Sequence, residues 1–205
     1  MTLQEIVDAA RYSELHGVAM KDNNAAIITF INLGMLELYK RFPLKIKEYV
    51  VAVSTSNFFG KLPSDFMYAL SAQDNSGQDG ALQDIAINDP NSDVGISIPS
   101  YKELQIPYVE DRIRTIVSLV YVAKPPSYSI SDLENELELP ETLINCLLHY
   151  VGYKAHLGVK GDGQAENNAH WLRFDRSCKE ARELGVAFPV DSWEMGDRIN
   201  NRGFA

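Results

Sequence analysis

The stretch LPETLINCLLHYVGYKAH, residues 139–156, constrains the fold more than any other part of this chain. Pro140 suits a first helical turn, where its missing N–H costs nothing, and Gly158 offers a left-handed stop two residues beyond. Within the predicted helix Leu143, Leu147 and Tyr150 make one apolar stripe. Ile144, Leu148, Val151 and Ala155 make a second one beside it. A helix that is apolar around most of its girth must be covered on two flanks. Either its own domain supplies both covers, or a neighbouring copy of the chain supplies one.

The remaining elements follow from period and punctuation. Thr2 with Glu5 three residues later is a capping-box signature, and Ile6, Ala9, Ala10 and Tyr12 continue a helical spacing that ends near Gly17. Asp22 or Asn23 caps a longer helix that sends Ile27, Ile31, Met35 and Leu38 into a core and stops at Pro43. Beyond Pro43 the period changes. Residues 46–53 (IKEYVVAV), 65–72 (DFMYALSA) and 114–123 (RTIVSLVYVA) are β-branched and aromatic, separated by loops crowded with Asp, Asn, Ser and Gly. Helical spacing returns with the opening helix and again from about Gly163 to Leu184. There Trp171, Phe174, Cys178 and Ala181 share a face, Asp175–Lys179 and Lys179–Glu183 pair on the wet side, and Gly185 caps. The chain therefore reads as α+β: about four helices from 1–43 and 129–185, a β-rich insertion 44–128 between helices two and three, and an extended arm 186–205.

Most chemistry is excluded residue by residue. Nineteen Lys and Arg against 28 Asp and Glu leave a formal charge of -9, which argues against a broad basic footprint for nucleic-acid phosphates. Glu5 stands where a signal peptide carries positive charge, and no apolar run reaches the roughly 18 residues of a membrane span, so no membrane segment is expected. Cys146 and Cys178 form neither a zinc spacing nor a disulfide framework and read as buried structural thiols. The loop from Asp89 to Asp93 opens like a calcium loop but has Val94 where the turn needs Gly and Ser100 where a Glu belongs. Gly158, Gly161 and Gly163 follow a helix rather than a strand, and no Gly-Lys-Ser/Thr comes after them, unlike a phosphate loop. His149 and His156 lie seven apart, whereas two ligands on one helix sit three or four apart, so both read as core or helix-terminal residues. No carboxylate pair and no arrangement of nucleophile, base and orienting group stands out. The expectation is a scaffold without catalytic residues, metal or cofactor.

Four separated segments carry a family resemblance. INLGMLELYKRFPL (31–44), FGKLPSDFMYALSA (59–72), VSLVYVAKPP (117–126) and LPETLINCLLHYVGYKAH (139–156) together resemble the head-to-tail connector, or portal adaptor, proteins of tailed bacteriophages, over roughly residues 31–181. The resemblance implies an antiparallel helical bundle carrying the β-rich insertion, in the chain order just derived. It implies a structural virion protein at the head–tail junction, made in the host bacterial cytoplasm. Its partners would be further copies in a twelvefold ring, the portal protein and a tail tube or nozzle protein. Packaged DNA would pass through the channel without specific binding, for which an acidic wall is suited. If copies pack side by side, Tyr39, Tyr150 and Trp171 are the candidates for the subunit seam. Two other readings stand beside this one: a different head-completion or tail-ring subunit, and a tail-borne cell-wall hydrolase or carbohydrate-binding module with the β-rich part active.

In the arm AFPVDSWEMGDRINNRGFA, Phe188, Trp193, Met195, Ile199 and Phe204 are apolar, but their spacings match neither a helix face nor a strand face. Burying five such side chains yields about 1.5 to 3 kcal/mol each, while fixing the backbone costs about 1 to 2 kcal/mol per residue. Side chains alone lose that contest. The arm is expected to order on a partner that also supplies backbone hydrogen bonds, the portal being the partner that the resemblance implies, with folding back over its own helices as the other outcome.

Overall fold

Thr2 and Glu5 close a capping box: the Thr2 hydroxyl accepts from the Glu5 N–H at 3.2 Å, and the Glu5 carboxylate accepts from the Thr2 N–H at 2.9 Å. The helix that follows, α1 (Leu3–Tyr12), buries Leu3, Ile6, Val7 and Ala10, the i, i+3, i+4, i+7 stripe. Tyr12 does not share that stripe and is 78% exposed. The chain then turns through Gly17 at φ +84°. The computed structural model describes residues 1–52, 58–74, 83–89, 95–106, 116–160 and 169–185, and these form four helices and two antiparallel sheets.

Asn23 caps α2 (Asn24–Arg41), its side chain accepting from the Ala26 N–H at 3.1 Å. Ile27, Ile31, Met35 and Leu38 are all buried, as their spacing predicts. Pro140 caps a 3-10 turn (Glu141–Leu143), and α3 (Ile144–Lys160) continues from it. Gly158 lies inside α3 rather than ending it. A last helix, α4 (Ala169–Glu183), is closed by Gly185 at φ +71°, whose N–H donates to the Arg182 carbonyl at 2.9 Å. The expected start of that helix at Gly163 falls outside the described residues.

Two compact units result, one from 1–44 and 125–205, the other Lys45–Lys124. In the first, α3 packs against α1, α2 and α4. Leu143, Leu147 and Tyr150 of the first stripe and Ile144, Val151 and Ala155 of the second are buried in the single chain, while Leu148 of the second is half-buried, so the first stripe is covered without a neighbouring copy and the second is covered except at Leu148. The closest approach is at Gly34 of α2, where a Cβ would stand 2.5 Å from Leu147 Cδ1 and 3.1 Å from Tyr150 Cδ1. Packing favours glycine there, since any larger residue would have to displace the Leu147 side chain, while the helical backbone itself would accept any residue but proline.

All the described strands belong to the second unit. β1 (Ile46–Ala52), β3 (Phe66–Asp74) and β7 (Ile116–Ala123) are the three that sequence period predicts. Four shorter strands accompany them: β2 (Phe59–Lys61), β4 (Gln83–Ile85), β5 (Ser97–Ser100) and β6 (Glu103–Gln105). Their orders are β1-β7-β3-β4 and β2-β6-β5. β7 is buried on both faces from Val117 to Ala123, which explains an apolar run broken only by Ser118, whose hydroxyl donates to the Glu48 carboxylate. Val117, Leu119 and Tyr121 face a core shared with Val51, Leu62, Phe66 and Leu104.

Candidate interaction surfaces

Within the helical unit, aromatic side chains from α3 and α4 form one cluster. Tyr150 meets Phe174 edge-on at 5.3 Å and Tyr153 at 5.9 Å, and Trp171 lies 5.1 Å from Tyr153 and 5.4 Å from Phe174. Arg41, from the end of α2, sits 4.6 Å from the Phe174 centroid and 5.4 Å from that of Trp171. The same guanidinium donates to Asp175 at 3.0 Å and to Glu37 at 3.3 Å. A cation held between two carboxylates and two rings fixes the α2–α4 contact by geometry rather than by area.

This cluster holds two of the three seam candidates, Tyr150 and Trp171. Tyr150 is buried, and burial, then Glu37, pushes its hydroxyl up to about 12. Tyr39 is 2% exposed and donates to the Glu138 carbonyl at 2.9 Å; burial and then Glu138 push it up to about 12 as well. Both serve the interior of the unit. Trp171 is half-buried, and its neighbour Leu172 is 57% exposed. The two cysteines face each other from α3 and α4, both buried; the hydrogen bond with Cys146 and then burial push the Cys178 thiol up.

A polar hub escaped the sequence reading. Glu14, in the segment after α1, meets three histidines: His149 Nδ1 at 3.2 Å and His170 Nδ1 at 2.7 Å through its carboxylate, and His156 Nε2 at 3.1 Å through its carbonyl. His156 and His170 stack at 4.5 Å. His149 and His156 therefore belong neither to the apolar core nor to a helix end; they tie α3 to the segment after α1. Burial lowers the His170 pKa from its ordinary 6.5, against the opposing pull of Glu14. Gly152 makes the room, since a Cβ there would come within 2.7 Å of His170 Nδ1 and 3.0 Å of Glu14 Oε2. The available signal was the row His149, Gly152, His156 at spacings of three and four along α3. No group of His, Cys, Asp or Glu among the described residues is arranged to hold a metal ion.

The strand unit carries a cleft lined by lysines and aromatic side chains. Its volume is about 580 Å³, and it is bounded by Phe59, Gly60 and Lys61 of β2, the turn Leu62–Ser64, and Tyr101, Lys102 and Glu103. Lys102 Nζ lies 5.4 Å and Lys124 Nζ 5.3 Å from the Tyr101 ring centre, and Tyr101 is 60% exposed. Beside it, Asp65 accepts from Lys47 and from the Tyr121 hydroxyl at 2.9 Å; the Lys47 bond foremost holds the Asp65 carboxyl below the ordinary carboxylate range.

The arm residues Phe188, Trp193, Met195, Ile199 and Phe204, and most of the loop that opens like a calcium site, lie outside the described residues. No described helix is long and apolar enough to cross a membrane. Among known proteins, a family model described as SU10 adaptor protein matches residues 1–191. A solved structure, the neck of an empty GTA particle computed with C6 symmetry, aligns at 12% identity and a TM-score of 0.30, covering 86% of this chain and 88% of its own. No curated protein sequence matches.

Proposed function

Because this chain belongs to the SU10 adaptor protein family, we propose that it is a structural virion protein that connects a bacteriophage head to its tail. The observation that carries this reading is the family match, which spans residues 1–191 and so takes in both units. In this reading copies of the chain form a ring on the portal, in the family's manner twelvefold, extend the DNA exit channel and give the tail tube or nozzle its attachment site. It performs no chemistry. The formal charge of -9 supports a channel role, because a wall that repels phosphates lets DNA slide where a basic wall would hold it.

The arm 186–205 is the portal-docking element in this reading, through Phe188, Trp193, Met195, Ile199 and Phe204. A contact repeated around a ring gains from effective concentration, so each arm need bind only weakly. Since Tyr39 and Tyr150 are committed to the interior of the helical unit, the subunit seam falls to Trp171 and the exposed Leu172 beside it. Particles lacking only this protein test the reading. They should package DNA and gain no tail; normally tailed particles would refute it.

A further inference from the structure

A ring closed by side-by-side packing uses a heterologous contact, so one chain must carry two different surfaces that fit each other. On the strand unit, the exposed Lys61 and Lys102 line the cleft, and the exposed Lys124 lies at its edge over the Tyr101 ring, with Glu103 the sole carboxylate in the lining. This is a concentrated positive surface on a chain whose formal charge is -9. On the helical unit, the segment leading into the 3-10 turn exposes Glu134, Glu136, Glu138 and Glu141. That strap is anchored from beneath: Leu137 is buried, the Tyr39 hydroxyl donates to the Glu138 carbonyl, and the Glu138 N–H donates to the Tyr128 hydroxyl at 3.0 Å. Its backbone is held, and Glu134, Glu136, Glu138 and Glu141 are exposed along it.

We infer that the lysine–tyrosine cleft of one copy receives the acidic strap of the next copy in the ring. The charges are complementary, and both surfaces are presented on ordered backbone, so little entropy is lost when they meet. Tyr101, with an ammonium on its ring from two lysines, supplies an apolar plate against which the strap can lie. Lysines around an exposed ring also suit nucleic acid, but the single lining carboxylate and the acidic remainder of the chain favour an acidic protein segment. The inference rests on the ring in the proposed function, and its test needs no virion.

Three proteins decide it: wild type, a cleft variant K61E/K102E/K124E, and a strap variant E134K/E136K/E138K. All six substitutions fall on exposed side chains and leave the strap's backbone hydrogen bonds in place. Sedimentation velocity at high protein concentration and low salt should show wild type self-associating. Each variant alone should associate at least tenfold more weakly, because like charges then face each other. An equimolar mixture of the two variants should recover association, since the strap of each fits the cleft of the other. Full recovery in the mixture also shows that both variants are folded; K61Q/K102Q/K124Q, which places no new charge beside Glu103, should weaken association in the same direction. Wild type that never associates, variants that associate as wild type does, or a mixture that recovers nothing would each overturn the contact. So would duplex DNA binding by wild type that the cleft variant loses, which would assign the cleft to nucleic acid. If tails form without this protein but the mixture recovers, the virion reading fails and the contact stands; the reverse outcome separates them equally.

Discussion

Gly34 and Leu147 offer the sharpest test of how the helical unit is packed. Replacing Gly34 by Ala puts a methyl 2.5 Å from Leu147 Cδ1 and 3.1 Å from Tyr150 Cδ1. Leu147 is fully buried, so it has no free space to swing into. Overpacking of this kind costs about 1 to 3 kcal/mol, offset by about 1 kcal/mol because Ala is the better helix former. The net loss is therefore about 0 to 2 kcal/mol. Leu147→Ala alone leaves a cavity and should cost about 2 to 5 kcal/mol. In the double variant the new methyl meets the space that Leu147 vacated. The strain disappears and the propensity gain remains, so the double should be more stable than the sum of the singles by about 1 to 3 kcal/mol. All described helices lie in this unit, so urea unfolding followed by helical circular dichroism reports it directly. Strict additivity would show that α2 and α3 do not approach at Gly34, and the account of α3's coverage would fail with it.

Asn32 clamps the segment that follows β7, accepting from the Tyr128 N–H at 2.9 Å and donating to the Tyr128 carbonyl at 2.8 Å; Asn32→Ala removes both bonds and should cost about 1 to 3 kcal/mol in chemical unfolding. His170 has a folded pKa below its ordinary 6.5, so the unfolded state binds the extra proton first: its contribution to stability is whole above pH 6.5 and is lost as pH falls through the folded value. The melting temperature of wild type should therefore fall more steeply below pH 6.5 than that of His170→Asn, and parallel profiles would refute this. Ending the chain at Gly185 should leave melting unchanged and abolish co-sedimentation with portal rings, whereas a large drop in melting temperature with binding retained would place the arm on its own helices.

Local signals were legible where one residue type has one physical use. The Thr2–Glu5 box, the Asn23 cap and Gly185 are each fixed by which backbone groups a helix end leaves unpaired. Gly158 misled because glycine also occurs inside helices, and only long-range packing decides between the two. β2, β4 and β6 have three residues each and β5 four, too few for alternation to register within turn-rich sequence. The Glu14 hub was invisible for another reason. Its partners are 135 to 156 residues away in sequence, and neither His149 nor His156 carries a local sign of which carboxylate it will meet. Lys61 and Lys102 are likewise ordinary singly; the antiparallel pairing of β2 with β6, which sets Lys61 opposite Glu103, brings them to one cleft.

The coverage of α3 changes what kind of ring this chain can make. With the first stripe buried and only Leu148 of the second half-buried, no large apolar face remains for a neighbour among the described side chains of that helix. The large apolar residues left exposed on the described part of the helical unit, such as Leu33, Ile130, Leu172 and Leu184, come from separate segments of the chain, and those on the strand unit include Ile46, Tyr49 and Val50 of β1. A subunit contact assembled from scattered apolar residues and exposed lysine–glutamate pairs is weak, since each such pair contributes about 0 to 1 kcal/mol and is screened by salt. Obligate rings are instead built on broad apolar interfaces. A protein with this surface stays monomeric when dilute and forms rings where a template raises its local concentration. For an adaptor that is an advantage: a ring that closes only on the portal cannot close before the head is ready. Stable twelve-membered rings of the purified protein at low concentration would contradict this.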